Sequence, residues 1–532
     1  MKTMRTISLL SVLMIGIMSI KAQIDFTTDQ ITVTQGYQTT GQGNTNALLL
    51  RIDINPKEDL ANTILTITLD KTTQKNIKKL YIYETTSTEF IAKIPTSIIA
   101  TAKVSASANL YIGQVKAGTH HYWLCATVKK KATLGAILDA ALTSIAYTTT
   151  EKKILDVSAI GNPERQGMKV FARQNFVFKP TTDGSQFYRI PAMILDKEGN
   201  IVVAIDRRYD SNADLGNHKI DVSIVRSTDA GKTWSNQNII AVGNTSIEAR
   251  VGYGDAALAR TKSGKLICLM APGQNNFFGT THPDGKHFNN WVAMLTSDDN
   301  GVTWKGTDDY STQPILLTND VFGMGKNHSI FVSSGKGLTT ADGTVMFTTN
   351  VLMPNGTINC YILKTTDEGK HWTFVPELAY AGGDESKLEQ LHNGSLILSV
   401  RQSGDRGWNK AKANGTGWEK QYRTSDIWGN ACNADIINYG REMNFGKDIL
   451  IHSYINTSGR EGLQLAISLD GGNSWKSVYN IQPNGSCYST MQVLPDGTLA
   501  ILYEDASYHA GNGYAINYVT ITKKQIEEWI NK

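Results

Sequence analysis

One eight-residue pattern, Ser-x-Asp-x-Gly-x-Thr-Trp, occurs four times along this chain, and a repeat restricts the possible folds before any other feature does. The copies read Ser227-Thr-Asp229-Ala-Gly231-Lys-Thr233-Trp234, Ser297-Asp-Asp299-Asn-Gly301-Val-Thr303-Trp304, Thr365-Thr-Asp367-Glu-Gly369-Lys-His371-Trp372 and Ser468-Leu-Asp470-Gly-Gly472-Asn-Ser474-Trp475. The residue types dictate a turn. Asp and Ser or Thr bond to nearby backbone amides. Gly takes a left-handed backbone angle. Trp closes the turn against apolar neighbours and keeps an N–H to donate. Runs such as Asp221-Val-Ser-Ile-Val225 and Gln464-Leu-Ala-Ile467 precede the copies and read as strands. Each copy is therefore expected to clasp a hairpin. The copies start 70, 68 and 103 residues apart. The shorter steps fit one four-stranded blade with an insertion, and the longer fits two blades, one without a clean copy. A β-propeller is predicted, with the repeats structural rather than catalytic.

A length of 532 residues asks for two or three domains. Residues 1–22 combine a basic start (Lys2, Arg5), an apolar run from Ile7 to Ile20, and Ala22 ahead of Gln23, the pattern of a secretory signal peptide. The apolar run is too short to predict a membrane span, and the leader holds no Cys for lipidation. The mature chain is expected to be exported and to reside in the periplasm, at the cell surface or in the medium. Residues 23–160 show short alternating runs, such as Leu48-Leu-Leu-Arg-Ile-Asp-Ile54 and Leu110-Tyr-Ile-Gly-Gln-Val115, and read as an antiparallel β-sandwich. This part either holds carbohydrate or serves as a spacer. Residues 132–142 suit a short helix or an edge strand. Residues 162–167 read as a linker, residues 168–532 as the propeller, and residues 523–531 as a closing amphipathic helix.

The formal charge of +4 includes Lys2, Arg5 and Lys21 of the leader, which leaves about +1, and no run of five like charges occurs. That excludes a nucleic-acid footprint. The five cysteines are odd in number and widely spaced, so neither a disulfide framework nor a CxxC metal site is expected. Most are expected as small buried apolar residues. His218, His328 and His452 lie singly, which does not suit a metal cluster. No metal or cofactor is expected.

The stretch Gly184-Ser-Gln-Phe-Tyr188-Arg189-Ile190-Pro191 resembles the Phe/Tyr-Arg-Ile-Pro signature of bacterial sialidases (neuraminidases), the exo-α-sialidase glycoside hydrolases whose propellers carry such repeats, known as Asp boxes. Tyr188 stands where Phe is commoner. The resemblance covers roughly residues 170–520. It implies a six-bladed β-propeller, which with the N-terminal β-sandwich read above makes the chain all-β. It also implies three arginines on the substrate carboxylate, a task suited to a planar, permanently charged, bidentate guanidinium. Arg189 matches the first. Arg401 follows Glu385 by sixteen residues, the family's step, and Arg460 lies shortly before the last Asp box. Asp214, 25 residues after Arg189, matches the acid/base carboxylate, with Asp210 as the alternative on the same loop. Arg208 and Asp255 match groups that bind ring hydroxyls, with Arg207 as the alternative to Arg208. Tyr488, 28 residues after Arg460, matches the nucleophile, with Glu385 as its base.

A tyrosine suits this substrate. The reacting carbon of a sialoside bears a carboxylate, which repels an anionic nucleophile, whereas a phenol is neutral at rest. An ordinary tyrosine pKa of about 10 makes it weak until a neighbouring carboxylate takes its proton. Sialidases with a Tyr nucleophile are an exception to the two-carboxylate rule of glycosidases. The activity implied is release of terminal sialic acids from glycoproteins, glycolipids and oligosaccharides, with retention through a sialyl-tyrosine intermediate. Two alternatives stay open: a trans-sialidase or intramolecular trans-sialidase, for which Trp408, Trp418 and Trp428 of a Gly- and Asn-rich insertion are rim candidates that the sequence does not place, and a non-catalytic sialic-acid lectin.

Overall fold

The computed structural model describes residues 26–36, 39–86, 88, 97–149, 151–161, 167–171, 173–180, 184–215, 218–243, 252–273, 292–306, 314–317, 321, 329–353, 355–506 and 513–531. The expected leader, nearly all of the expected linker, and His328 lie outside these residues. The described chain is all-β apart from short helical turns and the helix Lys523–Ile530.

The first part forms two antiparallel sheets. One orders Ile31–Gln35, Ala47–Ile54, His120–Val128, Ile77–Thr85 and Ala100–Ala102; the other orders Lys152–Asp156, Ala140–Thr148, Leu60–Leu69 and Ser107–Val115. Their inward residues, including Leu50, Ile52, Leu65, Ile67, Leu80, Leu110 and Leu124, share one core. Alternation carries the pairing: in Ser107–Val115, Ala108, Leu110 and Ile112 are buried while Ser107, Asn109 and Tyr111 face water. Residues 132–142 contain the strand Ile137–Leu138 and no helix, which settles that choice. Ile137–Leu138 pairs with Met168–Phe171, which also pairs with Thr40–Gly41.

The remaining strands differ in pattern. Val345–Leu352 is buried at every position, as is Leu266–Gly273. A strand can be buried at every position only if both of its faces are covered, and here they are. Sheets built in chain order begin at Phe187–Leu195, Gly252–Arg260, Ser329–Val332, Ser386–Gln390 and Asp435–Asn438. The long strand Lys476–Val493 pairs with Glu461–Ser468 up to Gly485 and with Leu499–Asp505 from Ser486 onward, so it ends one set and begins the next. Arg173–Phe178 joins this last set beside Ala515–Ile521. Core clusters lie between successive sets: Val202 and Val222 meet Leu258 and Cys268, and Ile267 and Leu269 meet Phe347 and Leu363. Met346 and Ile362 meet Leu398 and Val400, and Trp408 meets Ile436 and Trp475. Ile451 and Leu465 meet Met491 and Ile501, and Leu502 and Tyr518 return to Tyr188 and Val203 of the first set.

The repeats sit at turns leading out of the third strand of a set. Ser227 Oγ accepts from Gly231 N at 2.7 Å, and Asp229 accepts from Thr233 N and Oγ1, both at 2.8 Å. The same bonds recur at Ser297, Thr365 and Ser468. Two consecutive residues are left-handed in each copy, as at Ala230 (φ 59°) and Gly231 (φ 75°). Gly231 is also required by space, since a Cβ there would lie 2.5 Å from the Tyr518 ring. Trp418 occupies a fifth such turn: its Nε1 donates to Gly415 O at 3.1 Å, as Trp304 does to Gly301 O and Trp372 to Gly369 O. Trp408 is fully buried and stacks on Trp475 at 5.0 Å. Neither is therefore a rim residue; of the three tryptophans only Trp428 is exposed.

Candidate active site

In an antiparallel hairpin the start of one strand lies beside the end of the next, so residues at those positions collect at one end of each sheet. Arg189 pairs in register with Asp206, Arg401 N donates to Glu385 O at 2.8 Å, and Ser486 N donates to Arg460 O at 2.9 Å. Arg189, Arg208, Asp255, Glu385, Arg401, Arg460 and Tyr488 all occupy such positions.

The closest grouping is Tyr488, Glu385 and Arg401. The Tyr488 hydroxyl donates to Glu385 Oε2 at 2.5 Å, and Arg401 Nη1 donates to the same hydroxyl at 2.8 Å and to Glu385 Oε2 at 2.5 Å. Arg401 Nε also lies 3.4 Å from Asp384. Ser334 Oγ holds the other oxygen of Glu385 at 3.0 Å, with Asn433 Nδ2 at 3.4 Å. Burial and the Glu385 charge push the Tyr488 phenol well above its ordinary pKa, against the pull of Arg401. The resting side chain is thus a neutral phenol whose proton already points at a carboxylate.

Arg189 packs against the same ring, its guanidinium carbon 5.4 Å from the Tyr488 centroid and 5.0 Å from that of Tyr514. The register of its strand slips between Arg189 and Ala192, and Ile190 is forced to φ 60°. A β-branched residue there stores roughly 1–3 kcal/mol of strain. Glu504 opposes it: the fully buried carboxylate accepts from Arg189 Nε and Ile190 N, both at 2.7 Å, and from Tyr488 N at 3.0 Å.

Arg208 is buried with its fork divided between Asp206, at 2.7 Å, and Asp214, at 3.0 Å. Desolvation works against the charged form of Asp214, but Arg208 and Arg189, with Arg460 adding to them, hold its carboxyl below the usual range. Arg460 is exposed and within electrostatic range of Arg189, Tyr488 and Asp214. Asp255 sits at a second register slip with φ 54°, its N–H donating to Asp206 at 2.9 Å. Burial and the charges of Asp206, Asp214 and Glu385 push its carboxyl well above the ordinary value.

All eight residues singled out in the sequence are therefore linked by contact or by charge. Of the alternatives, Arg207 packs over Tyr209 at 5.1 Å, and exposed Asp210 lies 3.7 Å from His218 and lines a pocket with Phe187 and Tyr514. Sequence reasoning missed Glu504, Asp206, Ser334 and Asn433. Glu504 and Asp206 carry a signal in retrospect, since each ends an apolar strand run (Leu499-Ala-Ile-Leu-Tyr-Glu504 and Ile201-Val-Val-Ala-Ile-Asp206) where a charge needs a partner.

Comparison with known proteins finds sialidases among the chains similar to this one. A sialidase of Bacteroides fragilis is 29% identical over 455 residues, covering 81% of this chain and 80% of that protein. A sialidase of Micromonospora viridifaciens is 26% identical over 337 residues, and the match spans half of its length. Among solved structures, the Hadza microbial sialidase Hz136 superposes with a TM-score of 0.67 at 20% identity, over 93% of this chain and 99% of that one. The family profile described as the BNR repeat-like domain matches residues 215–501, more than half of the chain, and this protein belongs to that family.

Proposed function

We propose that this protein is an exo-α-sialidase that removes terminal sialic acids from glycoconjugates by a retaining, two-step reaction at Tyr488. The similarity to curated sialidases supports the activity. The single observation that supports the mechanism is the triangle of Tyr488, Glu385 and Arg401, with the phenol 2.5 Å from a carboxylate and 2.8 Å from a guanidinium.

In this reading residues 168–532 form a six-bladed propeller, supported by core clusters that pass from set to set and return to the first. Residues 23–160 form a β-sandwich in front of it, and the leader directs export to the periplasm, cell surface or medium. Arg189, Arg401 and Arg460 hold the substrate carboxylate. Arg208 and Asp255 hold ring hydroxyls. As Tyr488 attacks the anomeric carbon, its proton passes to Glu385 and the leaving oxygen takes a proton from Asp214. Water, deprotonated by Asp214, then cleaves the sialyl-tyrosine bond and Tyr488 recovers its proton. Against desolvation, Arg208 and Arg189 hold the Asp214 carboxyl below its usual range. A bound carboxylate neutralises the arginines that stabilise the Asp214 anion, so substrate itself raises the acid to its working range.

The test is Tyr488→Phe on a fluorogenic sialoside. Loss of the attacking oxygen is expected to lower kcat by about a thousandfold or more while a sialic-acid analogue still binds. A variant turning over at near-wild-type rate refutes the assignment.

A further inference from the structure

All five cysteines are buried and free. Three of them have other partners: Cys125 faces Tyr83, Cys268 faces Leu269 O, and Cys360 donates to Asp384 O at 3.2 Å. Cys432 and Cys487 face each other, 55 residues apart in sequence, with their sulfurs at 3.0 Å. That is about 1 Å beyond a sulfur–sulfur bond of ~2.05 Å.

Their neighbours in the chain make the pair significant. Cys432 precedes Asn433, whose Nδ2 holds Ser334 Oγ at 2.8 Å and lies 3.4 Å from Glu385 Oε1. Cys487 precedes Tyr488. The Cys432 carbonyl is itself fixed by Arg406 Nη1 at 2.9 Å. Each sulfur is thus attached to the segment that positions one member of the Tyr488–Glu385 pair.

We propose that Cys432 and Cys487 are a disulfide-forming site whose bond ties the strand bearing Tyr488 to the loop that holds Glu385. The bond is independent of the activity assigned above; only its effect on the pair rests on that reading. A disulfide compound such as oxidised glutathione is the oxidant. One cysteine loses its proton and its thiolate displaces a glutathione thiolate, leaving a mixed disulfide. The thiolate of the second cysteine then displaces the remaining glutathione. Two protein thiols are oxidised, one glutathione disulfide is reduced to two thiols, and the geometry needs only a small closure of the two sulfurs. Burial holds the Cys487 thiol well above its ordinary pKa, so exchange inside the folded chain is slow and refolding is the faster route.

The full chain is equilibrated with oxidised and reduced glutathione, both folded and while refolding from the reduced, denatured state. Free thiols are then alkylated under denaturing conditions and counted. Oxidation is expected to lower the count from five to three, and a digest without reductant is expected to yield the Cys432 peptide linked to the Cys487 peptide. The unfolding midpoint, followed by circular dichroism, is expected to rise by several degrees on oxidation and to fall back with dithiothreitol. In Cys432→Ser the remaining thiols stay alkylatable and the midpoint ignores the redox state. Five free thiols under every condition, a link to a different cysteine, or identical midpoints for the oxidised and reduced chain overturn the site. A linked, stabilised chain that no longer turns over overturns only its bracing of the catalytic pair.

Discussion

Glu504 offers the sharpest perturbation because one buried carboxylate serves three donors. It accepts from Arg189 Nε and Ile190 N at 2.7 Å and from Tyr488 N at 3.0 Å, with no exposed surface. Glu504→Gln preserves the shape and removes the charge. One oxygen becomes an amide that can only donate, and it then faces a donor. Breaking a buried pair from one side costs about 3 kcal/mol, because the Arg189 charge stays buried without its partner. Unfolding entropy is about 2.1 cal/mol/K per residue, so for a cooperative unit of about 350 residues this amounts to a midpoint about 4 °C lower. The kinetic effect is expected to exceed the stability effect. Arg189 turns away from the substrate carboxylate and the bulge at Ile190 loses its main restraint, so KM rises and kcat falls together. A displacement of about 1 Å in such a group lowers kcat/KM by about a hundredfold. Melting by circular dichroism and a fluorogenic sialoside assay measure the two effects on one preparation. Unchanged kcat/KM in a variant with the lower midpoint would show that Glu504 serves the fold alone. An unchanged midpoint as well refutes the argument from its three donors.

Two other outcomes follow from the charges of the site. Burial and neighbouring carboxylates raise the Asp255 pKa in the fold above its unfolded value, so ionising this side chain opposes folding above about pH 4 and has no effect below it. Asp255→Asn is therefore expected to raise the melting midpoint by a few degrees at pH 7, and the gain is expected to vanish below about pH 4; a gain independent of pH contradicts the assignment. Arg401→Lys keeps the charge but loses the fork that reaches Asp384, Glu385 and Tyr488 together. Its kcat/KM is expected to fall by about a hundredfold on the same sialoside, and a wild-type value would remove Arg401 from the carboxylate clamp.

What the sequence discloses follows the range of each interaction. The Asp boxes are legible because every bond in them closes within four residues, as between Asp229 and Thr233. Glu385 and Arg401 are legible together because one hairpin joins them and their spacing is fixed by its length. The turn at Trp418 is not, since Lys412-Ala-Asn-Gly415-Thr-Gly-Trp418 has kept only the Gly and Trp of the pattern. Its Gly- and Asn-rich neighbourhood reads as an insertion whose tryptophans the sequence does not place, whereas in the structure Trp408 belongs to the core. Glu504 lies 315 residues from Arg189, and no local pattern announces a partner at that distance. The approach of Cys432 to Cys487 is hidden for the same reason: their proximity arises where separate strands meet, not within either stretch of chain.

The pairing of Arg173–Phe178 with Ala515–Ile521 also bears on the order of assembly. The first of these segments has its partner more than three hundred residues downstream, so it must wait, one edge unsatisfied, until all of the intervening chain has been synthesised. A product truncated before residue 515 would keep that edge open and offer it to other chains. Clumping, rather than a smaller working enzyme, is the natural fate of such fragments.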